Sequence, residues 1–194
     1  MSSRLTIGIF VGGQGTRMGG VAKGLLRVPD GTETLIDRLL RQCARAAPEA
    51  AVCLVGQSTA YATLGLPQLQ DDPVGVGPLG GLRALLLRAS AHQSDLALAL
   101  ACDLPFLDEA VISALILPLS GAARVPFVDG RLQPLAAAYA PAATLSAVDG
   151  SLALGKHALM NVLDQLGPQL ERLEFSDERA HALRDWDTPE DMGG

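Results

Sequence analysis

Residues 5–24 read LTIGIFVGGQGTRMGGVAKG, and this stretch decides the fold. Its first part, Leu5–Val11, is a short apolar run with β-branched residues that stops at Gly12, which predicts a buried strand. The glycines that follow let the backbone turn and direct consecutive N–H groups at an anion. Because Arg17 and Lys23 lie in the same loop, we interpret it as a phosphate-binding loop. The alternative is a flexible surface loop with two ordinary basic residues.

Two common phosphate-binding motifs do not fit this loop. The dinucleotide fingerprint GxGxxG fails because Gly13 and Gly15 are followed by Met18 where the third glycine is required. The Walker A pattern fails because Lys23 is followed by Gly24 instead of Ser or Thr. The loop therefore belongs to another class of phosphate site.

Strands and helices alternate after the loop. Apolar runs and helical spacing predict buried strands at Ala51–Val55 and Leu96–Cys102, and helices at Thr34–Ala47, from Gly77 to about His92 and from Asp108 to Leu117. This alternation predicts an α/β fold, a Rossmann-like and mostly parallel sheet with helices on both faces. A length of 194 residues predicts a single domain.

The pattern changes in the C-terminal part of the chain. Asp129-Gly130 lies between the apolar runs Val125–Val128 and Arg131–Tyr139, which predicts a hairpin and a mixed edge of the sheet. Further along, we expect a helix at Ser151–Leu166 and a short strand at Arg172–Phe175.

Composition disfavours several classes of protein. A net charge of −6 without any run of Lys or Arg disfavours a nucleic-acid binder. No segment has the pattern of a signal peptide, and the longest apolar stretch, Asp95–Cys102, is too short to span a bilayer. We therefore expect a cytoplasmic protein that binds no membrane. Cys43, Cys53 and Cys102 lack metal-site spacing and are expected to be buried free thiols.

Residues suited to ligand binding follow three predicted strands. Gly12, Gly56 and Asp103 each lie at a carboxyl end, which is where open α/β sheets bind ligands. A carboxylate there suits Mg²⁺, which combines a few carboxylates with phosphate oxygens and water. Taken alone, Asp103 is equally well interpreted as a turn or helix-capping residue.

Two of these segments resemble those of a known family. Arg17–Leu26 (RMGGVAKGLL) resembles the signature loop of the MobA-like nucleotidyltransferases, and Leu100–Phe106 resembles their CDxPF/Y motif. The resemblance runs along almost the whole chain and implies the fold of the nucleotide-diphospho-sugar transferases. It implies that the loop wraps a triphosphate, that Lys23 and Arg17 offset charge on the leaving pyrophosphate, and that Asp103 holds Mg²⁺. By the same resemblance, the nucleotide-binding residues are Val11, Gly12, Gly13, Gly15, Lys23, Asp71, Gly77 and Asp103.

An aspartate precedes the segment GPLGG at 77–81. In the family such an aspartate is implied to help hold the base and ribose. The spacing favours Asp71 over Asp72, and a solvated turn is the alternative for either residue.

Two later segments also resemble the family. Asp129–Leu135 (DGRLQPL) resembles the segment that holds the second substrate, which makes Arg131 and Gln133 candidate acceptor-binding residues. A plain hairpin is the alternative. Residues 184–191 (RDWDTPED) resemble the C-terminal NxNTPEDL motif, in which Asp187 is a candidate second metal ligand. A helix N-cap explains this motif equally well.

The resemblance implies transfer of GMP from GTP to the phosphate of a molybdenum-pterin cofactor, with release of pyrophosphate. The expected partners are GTP, a molybdopterin-type cofactor, and molybdoenzymes or cofactor-insertion proteins that receive the product. A cytidylyltransferase for the same cofactor is an alternative, because Asp185 and Asp187 replace the two asparagines. A sugar-1-phosphate nucleotidyltransferase fits less well, since its loop has a longer gap between Arg and Lys. A non-catalytic nucleotide-binding protein is the third alternative.

Overall fold

The sheet is built around the first strand of the sequence. The computed structural model describes residues 4–12, 22–28 and 33–184. Within them, eight strands form one sheet: β1 (Leu5–Phe10), β2 (Ala51–Val55), β3 (Gln68–Leu69), β4 (Leu96–Ala101), β5 (Ala123–Val128), β6 (Arg131–Leu132), β7 (Ala136–Tyr139) and β8 (Leu170–Glu174). The helices are α1 (Leu35–Ala46), α2 (Pro78–Ala91), α3 (Glu109–Leu115), α4 (Pro141–Ala153), α5 (Leu159–Leu166) and the short α6 (Asp177–Ala180).

The strand order is β3-β2-β1-β4-β7-β5-β6, with β8 paired to β5. The first four strands in this order are parallel, whereas β7 is antiparallel to both β4 and β5. β8 returns to run parallel to β5. The predicted mixed α/β fold with a mostly parallel sheet is therefore confirmed, while the single-domain organisation stays a prediction.

The alternation of side chains in β4 sorts the core into two layers. Leu96, Leu98 and Leu100 are buried with residues of α1 and α3, whereas Ala97 and Ala99 face the layer that contains α2, α4 and α5. Successive side chains of a strand point to opposite faces, so the sequence LALALA places large residues on one face and small ones on the other. The small face lets the helices approach the sheet closely.

Helix α2 packs closely against β1 at Gly8. A Cβ atom added at Gly8 would lie 2.7 Å from both methyl groups of Leu85 and 2.9 Å from a methyl group of Val55. The interior is packed too tightly to absorb such an overlap cheaply. Gly8 therefore allows α2 to lie against the centre of the sheet, so that the start of α2 comes near the ends of β1 and β2.

Two predictions for the C-terminal part need correction. The helix predicted at Ser151–Leu166 is two helices, α4 and α5, because the chain turns at Gly155, where φ is +65°. The α4 segment before Ser151 was missed because its Ala-rich sequence lacks a clear apolar stripe. The predicted hairpin at Asp129-Gly130 is present, but its return strand ends at Leu132, and the chain re-enters the sheet as β7 beside β4.

The helix starts and the thiols agree with the sequence. Asp108, where the third helix is predicted to begin, caps α3 through its side chain, and Thr34 caps α1 in the same way. All three cysteines are buried and free, and burial raises the pKa of Cys43 and Cys102 to about 12. Among the described residues, every helix is too short or too polar to cross a bilayer.

An ion pair ties the last strand to the rest of the sheet. Glu171 on β8 accepts hydrogen bonds from the backbone and hydroxyl of Ser120 and, at 2.8 Å, from the Gly121 backbone N–H. Its other oxygen lies 2.7 Å from Arg124, which also donates to carbonyls of the segment after α3. Partial burial alone would raise the pKa of Glu171, but the Ser120 and Gly121 hydrogen bonds and the Arg124 charge lower it to about 2.

We expect Glu171→Gln to lower the free energy of unfolding at pH 7 by about 2 kcal/mol, the order of a hydrogen-bonded charge. Because the folded-state pKa lies below the ordinary value of 4.5, this stabilisation is complete above that value and is lost as the pH falls towards about 2. Urea unfolding at several pH values measures it, with Glu174→Gln on the same strand as the exposed control. Equal stability of wild type and Glu171→Gln at pH 7 would show that the cluster contributes nothing.

Candidate active site

The carboxyl ends of three parallel strands meet at one edge of the sheet. Phe10 is in register with Val55 of β2 on one side and with Ala101 of β4 on the other. Beyond the strands, the N–H groups of Val11 and Gly12 both donate to the Val55 carbonyl, at 3.0 and 3.3 Å. The chain segments that follow β1, β2 and β4 therefore start side by side, as the sequence predicts.

Two glycines allow these segments to touch. Gly56 has φ of +105°, and a Cβ atom there would lie 2.8 Å from the backbone nitrogen of Gly12. Both the conformation and the space exclude a larger residue. The backbone leaving β1 is therefore held against the end of β2, which fixes the point where the glycine-rich loop begins.

An ion pair lies at this edge. Lys23 belongs to a single 3₁₀ turn, Lys23–Leu25, and its Nζ lies 3.2 Å from Oδ2 of Asp103, which follows β4. The two side chains are 31% and 21% exposed, respectively. A ligand can therefore reach both side chains, although each is partly screened from water. Partial screening makes charge interactions stronger than they are on an open surface. The pair offers a cation for a phosphate and a carboxylate for a metal ion within one site.

The two adjacent aspartates after β3 have different surroundings. The carboxylate of Asp71 lies against the start of α2, since a Cβ atom at Gly81 would be 3.3 Å from its Oδ1, and partial burial raises its pKa. Asp72 is exposed and forms an ion pair with Arg83 of α2, which also contacts Asp149 of α4 at 2.8 Å. Asp72 thus has a structural partner, and Asp71 is the one directed towards the helix start.

The start of α2 follows a turn at Gly77. This residue caps the helix with φ of +66° and is followed by Pro78 in the first turn. The connection from β3 to α2 lies at the same edge as Gly56, because the Gly56 N–H donates to the Leu69 carbonyl at 2.9 Å. The predicted nucleotide-binding residues Asp71 and Gly77 therefore flank one short connection at the carboxyl edge.

The segment predicted to hold the acceptor also reaches this edge. The Ala101 N–H donates to the Leu135 carbonyl at 2.7 Å, and the buried Tyr139 hydroxyl donates to the Pro134 carbonyl at 2.7 Å. Gln133 therefore precedes a turn that is fixed beside the end of β4. Arg131 is exposed on β6, which pairs with β5 and not with β4.

Two residues that fix this arrangement could not be identified from the sequence. Tyr61, in a 3₁₀ segment after β2, accepts a hydrogen bond from the Gly24 N–H at 3.1 Å. Arg83 holds Asp72 as described above. Neither contact could be predicted from a short sequence motif, because Tyr61 and Gly24 are 37 positions apart and Arg83 and Asp72 are 11 positions apart. Gly13, Gly15, Arg17 and Asp187 lie outside the described residues.

The donor set suits a hard divalent cation of the kind that phosphate-transfer sites use. Among residues 4–12, 22–28 and 33–184, no group of three or more His, Cys, Asp or Glu side chains forms a closed metal cage. Asp103 offers one partly exposed carboxylate. Mg²⁺ is commonly held by one or two carboxylates together with substrate phosphates and water, so Asp103 fits an ion that arrives with a nucleotide.

The chain is similar to known proteins over nearly its whole length. The chain is 31% identical over 184 residues to a molybdenum cofactor guanylyltransferase of Cereibacter sphaeroides, covering 95% of this chain and 91% of the relative. It is 29% identical to a probable molybdenum cofactor guanylyltransferase of Opitutus terrae, covering 98% and 94% of the two chains.

Solved structures share the fold. Molybdopterin-guanine dinucleotide biosynthesis protein A from Archaeoglobus fulgidus superposes with a TM-score of 0.72 at 20% identity, covering 97% of this chain and 95% of that one. The 2-C-methyl-D-erythritol 4-phosphate cytidylyltransferase from Thermus thermophilus gives 0.66 at 19% identity, covering 96% and 94%. Residues 7–171 match the family model of the MobA-like NTP transferase domain. The chain therefore belongs to the MobA-like NTP transferase family.

Proposed function

We propose that this protein transfers GMP from GTP to the phosphate of a molybdenum-pterin cofactor and releases pyrophosphate. The observation that carries the proposal is the Lys23–Asp103 pair at the carboxyl edge of the sheet, in a chain whose relatives are named molybdenum cofactor guanylyltransferases. We place this activity in the cytoplasm, and the product would pass to molybdoenzymes or cofactor-insertion proteins.

The reaction joins two anions. An oxygen of the acceptor phosphate attacks the α-phosphorus of GTP, a new P–O bond forms, and the bond to the β-phosphate oxygen breaks with release of pyrophosphate. Because the attacking oxygen belongs to the substrate, the protein contributes positioning and charge neutralisation. Bound Mg²⁺ would neutralise part of the phosphate charge.

The predicted site residues would divide this work among themselves. The Lys23 ammonium reaches the same point as the Asp103 carboxylate, so it can contact the phosphates of a nucleotide whose metal ion Asp103 holds. Arg17 of the same loop would add a second cation on the leaving pyrophosphate. Asp71, beside the start of α2, would accept hydrogen bonds from the base or ribose. Gln133, just before the turn fixed beside β4, would contact the acceptor, and Arg131 would contact the acceptor's phosphate.

The cytidylyltransferase alternative rests on Asp185 and Asp187, which replace the asparagines of the guanylyltransferase motif. Pyrophosphate release with Mg²⁺ and the pterin acceptor, compared for GTP, CTP, ATP and UTP, distinguishes the two. We expect a clear preference for GTP. A preference for CTP would assign the protein to the cytidylyl branch, and no release with any nucleotide would contradict an enzymatic function.

We expect Lys23→Ala and Asp103→Asn each to reduce turnover by about a hundred- to a thousand-fold, the range for loss of one charge-stabilising group. Lys156→Ala and Asp164→Asn are matched controls, because both residues are exposed, Lys156 in the connection between α4 and α5 and Asp164 on α5. Steady-state kinetics together with circular dichroism separate a catalytic effect from unfolding. Near-normal turnover in either site variant would remove that residue from the mechanism.

The different surroundings of the two aspartates predict different effects. Asp71→Asn should raise KM for the nucleotide about ten-fold or more, because a hydrogen bond to a charged group contributes about 1.5–3 kcal/mol. Asp72→Asn should leave KM within about two-fold and lower stability by less than about 1 kcal/mol, the range for an exposed ion pair. The opposite assignment of the two effects would show that Asp72 contacts the nucleotide.

A further inference from the structure

Tyr61 is a buried residue next to the turn that carries Lys23. It belongs to the 3₁₀ segment Thr59–Leu64 that follows β2, and only 1% of its surface is exposed. Ser58 caps the start of this segment through its hydroxyl, and Gly65 ends it in the left-handed conformation. The ring packs in the apolar layer formed by β1, β4 and α1. The phenol is therefore held firmly, with its hydroxyl against the Lys23–Leu25 turn.

The hydroxyl contacts the backbone next to Lys23. Its oxygen accepts the Gly24 N–H at 3.1 Å. A Cβ atom at residue 24 would lie 2.9 Å from the same oxygen, so the approach requires glycine. The sequence Lys23-Gly24 thus combines the charged group with a neighbour small enough to be held by a buried phenol.

The same hydroxyl lies near the other half of the pair. Burial raises the pKa of Tyr61 to about 12, and nearby Cys102 and Asp103 contribute to the rise. Tyr61 therefore stays protonated at neutral pH, and its neutral hydroxyl can accept a hydrogen bond from the turn that carries Lys23. The residue after Lys23 and the residue before Asp103 both lie close to one hydroxyl.

The turn that carries Lys23 has contacts within itself and with its surroundings. The Leu25 N–H to Ala22 carbonyl bond at 2.9 Å and the Leu26 N–H to Lys23 carbonyl bond at 3.0 Å close the turn, and the Leu35 N–H to Leu26 carbonyl bond at 2.9 Å joins its end to α1. A lysine side chain is a flexible four-carbon stem, so the position of its ammonium depends on the backbone that carries it. The Tyr61 hydroxyl contacts this backbone directly after Lys23.

We propose that Tyr61 is a positioning residue for the reaction, which holds Lys23 opposite Asp103 through the hydrogen bond from the Gly24 N–H. This inference rests on the proposed nucleotidyl transfer and adds a residue to it. Displacements of about 1 Å can cost about a hundred-fold in rate. Loss of one such contact should therefore affect the chemical step more than substrate binding.

The test is Tyr61→Phe, which removes the hydroxyl and keeps the ring. We expect kcat to fall about ten-fold, with KM for GTP within about two-fold. Thr144→Val is the matched control, because the fully buried Thr144 hydroxyl donates to the Ala122 carbonyl at 3.0 Å at the start of α4. It loses one buried hydrogen bond of similar kind, about 1 kcal/mol, and should keep wild-type kcat.

A double-mutant cycle separates positioning from general destabilisation. If Tyr61 acts through Lys23, adding Tyr61→Phe to Lys23→Ala should cause little further loss of kcat. Full additivity of the two losses, or a wild-type kcat for Tyr61→Phe, would overturn the inference while leaving the proposed function intact.

Hydrogen exchange of the Gly24 amide provides a readout that does not depend on activity. We expect this amide to exchange slowly in the wild type and at least about ten-fold faster in Tyr61→Phe, with amides of β1 unchanged. Equal exchange at Gly24 in both proteins would overturn the inference. If the wild type transfers no nucleotide to the acceptor, the proposed function fails, and the Gly24 exchange still decides whether Tyr61 fixes the turn.

Discussion

The hydrogen-bonded register of β1 between β2 and β4 is the constraint on which the site depends. Because all three strands are parallel and aligned at Phe10, Val55 and Ala101, their following segments leave the sheet at the same edge. Residues that are 80 positions apart in the chain, Lys23 and Asp103, thereby come within 3.2 Å. The close contact between Gly56 and the Gly12 backbone holds the ends of β1 and β2 together at this edge.

Packing on one face of the sheet supports the same edge. Small residues on β1 and β4 let α2 lie close to the sheet, and the start of α2 carries the connection that contains Asp71. Arg83 then binds the neighbouring Asp72 and links α2 to Asp149 of α4. The helix layer thus gives the two consecutive carboxylates different surroundings, with Asp72 paired to Arg83 and Asp71 against the start of α2.

Much of this arrangement could be predicted from local sequence signals. The run Leu5–Val11 ended by glycine, the helical spacing of apolar residues after Thr34 and the turn at Asp129-Gly130 each produce the expected element. The helix α4 could not be predicted, because an Ala-rich segment has no apolar stripe to set its period. The contact of Tyr61 with Gly24 joins residues 37 positions apart, and such contacts arise from the topology and leave no pattern in the local sequence.

The proposed function requires a nucleoside triphosphate and its metal ion to bind at the Lys23–Asp103 pair. Crystals grown with Mn²⁺ and a GTP analogue that cannot be cleaved between the α- and β-phosphates test this directly through anomalous scattering. We expect an Mn²⁺ peak beside the Asp103 carboxylate, with phosphate oxygens within hydrogen-bond reach of the Lys23 ammonium. Nucleotide bound elsewhere, or an Mn²⁺ peak away from Asp103, would contradict it.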